Sequence, residues 1–216
     1  MHSFAFCAAL GPMGIYLLAL GGLNLGRRPR VARGSREIAA LALALSGFVA
    51  IGPMQLFLPE QAAASYGWAV WALLMLGYGL LVAMAILLSP PRLVIYNCDA
   101  GTLRPIVERL AAQLDPDAHW AGASLALPRL NVSAQLDEFA LLRNVSLASV
   151  GRDQSDRGWG LVEQALRRAL ADVDCPRNPA GLTIIVTGLA ILAIVAHKTI
   201  DDPQALAQGF FDLLRL

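Results

Sequence analysis

The most polar stretch of the chain is GRDQSDRGWG, residues 151–160, which gathers Arg152, Asp153, Asp156 and Arg157 just ahead of an apolar stripe at helical spacing. Guanidinium groups beside the free N–H groups of a helix start could bind a phosphate, a lipid headgroup or a charged partner. The plainer reading is a solvated loop in which Ser155 or Asp156 caps the helix. The residue types favour the plainer one. Asp137 and Glu138 are adjacent and suggest a turn; neighbours on a strand would point to opposite faces, so they make a poor acid–base pair. His119 starts a short run with Trp120 and reads as a surface histidine rather than a general base.

No GxGxxG, P-loop, GxSxG or HExxH motif occurs, so the usual local signatures of nucleotide binding, acyl transfer and zinc hydrolysis are missing. The cysteines are Cys7, Cys98 and Cys175, without a CxxC pair, and the three histidines cluster with neither thiols nor carboxylates. Metal-ligand spacing is absent, and no metal or cofactor is expected. Cys98 and Cys175 bracket the polar middle of the chain. They could pair in an oxidising compartment, but two small, half-buried thiols are the expectation. Asn131 and Asn144 open Asn-Val-Ser sequons, which matter only for a glycosylated exterior domain.

These residues need a scaffold, and composition says what kind. Of 216 residues, 56% are hydrophobic and 15% charged, against about 25% charged in soluble domains. Charges are nearly absent from four long stretches and common elsewhere. That block pattern implies four membrane helices, at Phe4–Leu25, Ile38–Leu58, Trp68–Leu88 and Leu182–Ala196. The last reaches full length by borrowing Ala180, Gly181, His197 and a snorkelling Lys198. The first lacks a basic leader and is followed, not preceded, by Arg27 and Arg28, which favours a retained helix over a cleaved signal. A net charge of +1 and the lack of basic runs with interleaved aromatics argue against a nucleic-acid partner.

Orientation is read from arginine. The loop at residues 26–37 carries Arg27, Arg28, Arg30, Arg33 and Arg36, whereas the N-terminal tail and the PEQAAASYG loop at residues 59–67 carry no Lys or Arg. Short basic loops stay in the cytoplasm. The N-terminus and C-terminus are therefore expected outside, with the Arg loop and the domain flanked by Arg92 and Arg177 inside. Tyr66, Trp68 and Trp71 fit an outer aromatic belt, and Pro90-Pro91 stop the third helix. The arginine bias, sixteen Arg to one Lys, together with the Ala and Leu content suggests a GC-rich bacterium and hence an inner membrane. The expected organisation is a three-helix membrane region at 1–90, a soluble domain at 91–179, a fourth membrane helix at 180–198 and an amphipathic tail at 199–216.

No Asp, Glu, Lys, Arg or His sits in the middle of any span, which disfavours ion-coupled transport and voltage sensing. Two small-residue ridges, Gly22 with Gly26 and Ala42 with Ser46 and Ala50, have helix-packing spacing. They could pack the chain's own helices, self-associate or dock other membrane subunits.

Within the soluble domain, RLVIYN reads as a strand. Asp99 or Thr102 then caps a helix with the stripe Leu103, Ile106, Val107, Leu110 and Leu114, and Pro105 favours the later start. Alternating residues from Leu125 to Leu136 suggest a hairpin turning at Pro128-Arg129, and Val145 with Leu147 a further strand. A final helix runs from Ser155 or Trp159 to Val173. The expected fold is thus membrane α-helical plus a small α+β domain of order β-α-β-β-β-α, a mostly antiparallel four-stranded sheet with both helices on one face.

Function follows only by class. The first expectation is a non-catalytic scaffold or accessory subunit of a membrane complex, in contact with the bilayer. The alternatives are a membrane-bound sensor or headgroup-binding module, and an interfacial lipid-acting enzyme using Asp153, Asp156 or His119.

Overall fold

The computed structural model describes residues 2–57, 68–139, 142–151, 153–201, 203–204 and 207. The PEQAAASYG loop with Tyr66, the side chains of Trp68 and Trp71, Arg152 and residues 202, 205–206 and 208–216 of the tail lie outside the described residues. Its elements are α1 (His2–Leu25), β1 (Arg30–Arg33), α2 (Gly34–Phe57), α3 (Trp68–Leu88), β2 (Arg92–Tyr96), α4 (Ala100–Leu114), β3 (His119–Ala121), β4 (Ser124–Leu127), β5 (Val132–Phe139), β6 (Asn144–Ser149), α5 (Asp156–Ala169) and α6 (Pro179–Asp201). The chain divides into two compact units, one of residues 1–19, 38–88 and 184–216, the other of residues 20–37 and 89–183.

The first unit is helical. Among the described residues, three helical stretches are long and apolar enough to cross a membrane: Phe4–Leu25, Gly34–Gly52 and Pro179–Asp201. In α3, where the side chains of Trp68, Val70 and Trp71 lie outside the described residues, the described apolar stretch is Ala72–Leu88, so the four spans expected from sequence stand as three and this shorter one. The helices meet through glycine. A Cβ on Gly188 of α6 would lie 3.1 Å from Gly14 O and Leu18 N of α1, and one on Gly14 would lie 2.8 Å from Leu192. Gly47 of α2 crosses α1 at Ala8, where a Cβ would strike the Ala8 carbonyl. Backbones this close gain packing that larger side chains would prevent.

The second unit is a mixed α/β module. Its sheet has six strands in the order β1-β2-β6-β5-β4-β3, every neighbouring pair antiparallel. The expectation of four strands is corrected at both edges. At one edge β3 forms its own hairpin with β4, turning at Gly122 with φ +66°. At the other, the Arg-rich loop supplies β1, paired with β2 from Arg30↔Tyr96 to Arg33↔Leu93. Arg-Val-Ala-Arg is too short to read as a strand alone; it forms because β2 offers an open edge of backbone donors and acceptors.

Alternation decides which sheet face is covered. Leu93 and Ile95, Leu125 and Leu127, Val132 and Ala134, Val145 and Leu147 share one face and are buried. They join Leu103, Val107 and Leu110 of α4 and Trp159, Val162 and Leu166 of α5 in one core. Eight such strand residues and two helix stripes give the module its own hydrophobic centre. Helix α4 starts at Ala100, not after Thr102, because the Asp99 carboxylate accepts the Thr102 N–H at 2.7 Å. Asp137 and Glu138 lie within β5 rather than in a turn. Helix α5 starts as expected, with Ser155 accepting from Gly158 N at 3.1 Å.

Candidate functional site

The loop before α5 is organised by Gln154, which no motif singled out. Its Oε1 accepts from Ser133 N at 3.2 Å and Trp159 Nε1 at 3.0 Å, while its Nε2 donates to Val150 O at 2.7 Å. Asp153, Asp156 and Arg157 are exposed, and none of their side chains takes part in a hydrogen bond or ion pair among the described residues. Arg152 is not described. The geometry therefore builds a capped helix start and converges no cationic side chains on one point. His119 is exposed on β3, with Nδ1 3.1 Å from Asp117 O. Asp137 and Glu138 separate as strand neighbours do: Asp137 accepts from Gln135 Nε2 at 3.0 Å, and Glu138 from Ala100 N at 3.4 Å.

The arginines take structural partners in the module. Arg33, on the helix-covered face of β1, is ion-paired with Glu163 of α5, which also pairs with Arg167 at 2.7 Å. Arg92 reaches Glu37 at 3.5 Å, and Glu37 also accepts from the Tyr96 hydroxyl. Arg27, Arg28, Arg30, Arg36 and Arg177 are exposed. Of the small residues singled out, Gly22 has nothing within 4 Å of a Cβ position and Gly26 meets only its own neighbourhood. The Ala42 carbonyl accepts from Tyr78 Oη at 2.6 Å, Ser46 donates within its own helix to Leu43 O at 2.7 Å, and Ala50 is half-buried. The close approaches fall instead on Gly14, Gly47, Gly181 and Gly188. Gly14 and Gly21 are seven residues apart, as are Gly181 and Gly188. That spacing was readable, but nothing local says which two helices it joins.

The densest polar convergence lies where α1 leads into the module and the module leads out to α6. Gly26 O accepts from Asn97 Nδ2, and the next carbonyl, Arg27 O, accepts from Cys175 N at 2.8 Å. Arg143 O accepts from Cys98 N at 2.7 Å. The Arg143 guanidinium donates to Asp99 Oδ2 at 3.1 Å and to Pro176 O at 3.3 Å. Asn97 and Arg143 both hold left-handed backbone, φ +56° and +48°, a conformation that persists only where surrounding bonds over-determine it. Asn24 Oδ1, Asn97 Oδ1 and Asn178 Nδ2 are buried here without a protein hydrogen-bond partner.

Both thiols of this neck are free, and Cys98 and Cys175 lie in the same core cluster. The Cys98 thiol donates to Asp99 O at 3.6 Å. Burial, reinforced by the Cys175 sulfur, pushes the Cys98 thiol up to about 12. Burial raises Cys175 too, opposed by the nearby Cys98 thiol. Asp99 is held below the usual carboxylate range, first by the Thr102 backbone bond and then by Arg143. An open groove of about 550 Å³ between α4 and α5 is floored by Ile106, Leu110 and Ala165 and flanked by Arg109 and Arg168. No cluster of three or more potential metal ligands occurs among the described residues.

No protein-family model, curated protein or solved structure matches the chain.

Proposed function

We propose that this chain is an integral protein of a bacterial inner membrane, crossing it four times and presenting the six-stranded module in the cytoplasm as a non-catalytic scaffold or accessory subunit. The observation that carries this reading is the pairing of β1 with β2. β1 precedes α2 and β2 follows α3, so the chain between Arg33 and Arg92 returns to where it left. If α2 crosses a bilayer, α3 must cross back. That parity supports a membrane role for α3 despite its shorter apolar stretch. It also supports a common side for the Arg loop and the module, the side that a basic loop selects as cytoplasmic. Both termini are then outside.

The scaffold reading is favoured over catalysis because the partnered polar side chains of the module serve caps, ion pairs and loop anchors, while Asp153, Asp156 and Arg157 stand exposed without an enclosing pocket among the described residues. Partner subunits are the expected ligands. Crosslinking in native membranes, followed by purification in mild detergent, tests this. A stoichiometric protein partner or a defined self-assembly is expected; a monomer without a partner after crosslinking contradicts the scaffold role.

A further inference from the structure

We propose that Cys98 and Cys175 form a site of reversible oxidation, a disulfide clasp that ties the end of β2 to the segment leading into α6. The geometry rests on anchors independent of the sulfur atoms. Four segments converge: 26–27, 97–99, 143 and 175–176. Asn97 Nδ2 and Cys175 N bind successive carbonyls, Gly26 O and Arg27 O. Cys98 N binds Arg143 O, and the Arg143 side chain then spans from Asp99, next to Cys98, to Pro176, next to Cys175. Two of the chain's three cysteines, far apart in sequence, are thereby anchored by backbone bonds into one buried neighbourhood. Closing the clasp turns the Cys98 thiol from Asp99 O towards Cys175 and brings the pair to disulfide geometry.

The chemistry is thiol–disulfide exchange with a disulfide oxidant of the glutathione class. Cys175 is 5% exposed and Cys98 0%, so Cys175 reacts first. Its thiolate attacks one sulfur of the oxidant, the S–S bond breaks, and one thiolate leaves. The Cys98 sulfur then attacks Cys175 Sγ in the mixed disulfide, expelling the second thiolate. Two protein thiols are oxidised, one disulfide is reduced to two thiols, and the two protein protons go to the departing thiolates. Because burial disfavours both thiolates, exchange is slow compared with an open cysteine. The clasp encloses α4, β3 to β6 and α5, so oxidation restrains the unfolded chain over a long loop. In a reducing cytoplasm the pair rests as dithiol and closes under disulfide stress.

The test uses the full-length protein, reduced and then held in detergent with oxidised glutathione. Acid quenching, alkylation under denaturing conditions and peptide mapping follow. The expected product is a Cys98–Cys175 linked peptide pair in monomeric protein, reopened by dithiothreitol, with a melting temperature raised on the order of 10 °C. Cys98→Ser is expected to trap a glutathione adduct on Cys175, and Cys175→Ser to leave Cys98 unmodified. Wild-type protein that keeps both thiols alkylatable, carries stable separate adducts on them, or links only between molecules overturns the proposal whether or not either variant folds.

Discussion

Helix α3 leaves Leu87 83% exposed, whereas α5 buries Leu166 completely. Both are leucines on helices, yet one faces outward and the other a core. The difference runs through the two units. Along α2, α3 and α6, Leu43, Leu73, Leu80, Val186 and Leu189 all face away from the protein. In the module, the large apolar residues of β2, β4 and β6 are inside; on the other face of the sheet β4 and β5 carry polar residues such as Ser124, Ser133 and Gln135, while β2 buries Val94 and Tyr96 there. Outward apolar side chains in one unit and an ordinary core in the other set the two apart: the first has the surface that suggests membrane association, and the second carries its own interior.

The largest expected effect sharpens that contrast. Leu166→Ala leaves a cavity in a closed core and is expected to destabilise the module by about 2–5 kcal/mol. Leu87→Ala, on an outward face, is expected to change stability by less than about 0.5 kcal/mol. Paired denaturation in detergent measures both; equal losses would erase the distinction between the units.

The helical unit should instead be sensitive to bulk at its glycine contacts. Gly188→Leu drives a side chain into Gly14 and Leu18 of α1 and is expected to cost roughly 1–3 kcal/mol. Gly79→Ala, where nothing lies within 4 Å of the Cβ position, should be neutral or mildly stabilising. Thermal unfolding in detergent separates the two.

The edge strand gives the third contrast. Glu163 is 10% exposed on its side chain and holds both Arg33 and Arg167. Glu163→Gln is expected to cost roughly 1–2 kcal/mol, moderated by the exposure of the two arginines. Hydrogen exchange should quicken at Val31 and Ala32 before it does at β5 and β6.

The smallest effect concerns the cap of α4. Asp99→Ala removes the acceptor for Thr102 N and the partner of Arg143, an expected loss of about 1 kcal/mol. Because the folded Asp99 carboxyl is held below its ordinary value of 3.8, its contribution is present above that pH and lost as pH falls through the lower folded value. Acid titration of wild type against Asp99→Ala should show the difference between them shrinking below pH 3.8.

Much of this was legible in the sequence because it is local. Charge-free runs announce α1, α2 and α6, the short apolar run Leu93–Tyr96 announces β2, alternation announces β4, β5 and β6, and Ser155 marks the start of α5. What stayed hidden is non-local. Arg-Val-Ala-Arg at residues 30–33 has the composition of an orientation signal, and only the open edge of β2 makes it a strand. The Pro105 rule pointed to a late start for α4, but the Asp99 cap won. Among the candidate site residues, the charged types at 151–160 stand out in the sequence, whereas Gln154, which pins that loop, does not, since a lone glutamine carries no spacing signal. The juxtaposition of Cys98 with Cys175 depends on Arg27, Asn97 and Arg143, and no reading of either cysteine's neighbours could supply it.

If the helices cross a bilayer as proposed, the pairing of β1 with β2 puts the Arg loop and the module on one side of it. Single cysteines at Arg28 and Gln164, both exposed, can be probed with an impermeant maleimide in intact cells and in inverted vesicles, the native thiols replaced by serine. Both sites are expected to label in inverted vesicles and neither in intact cells. Labelling of the two from opposite sides would contradict the account at its root.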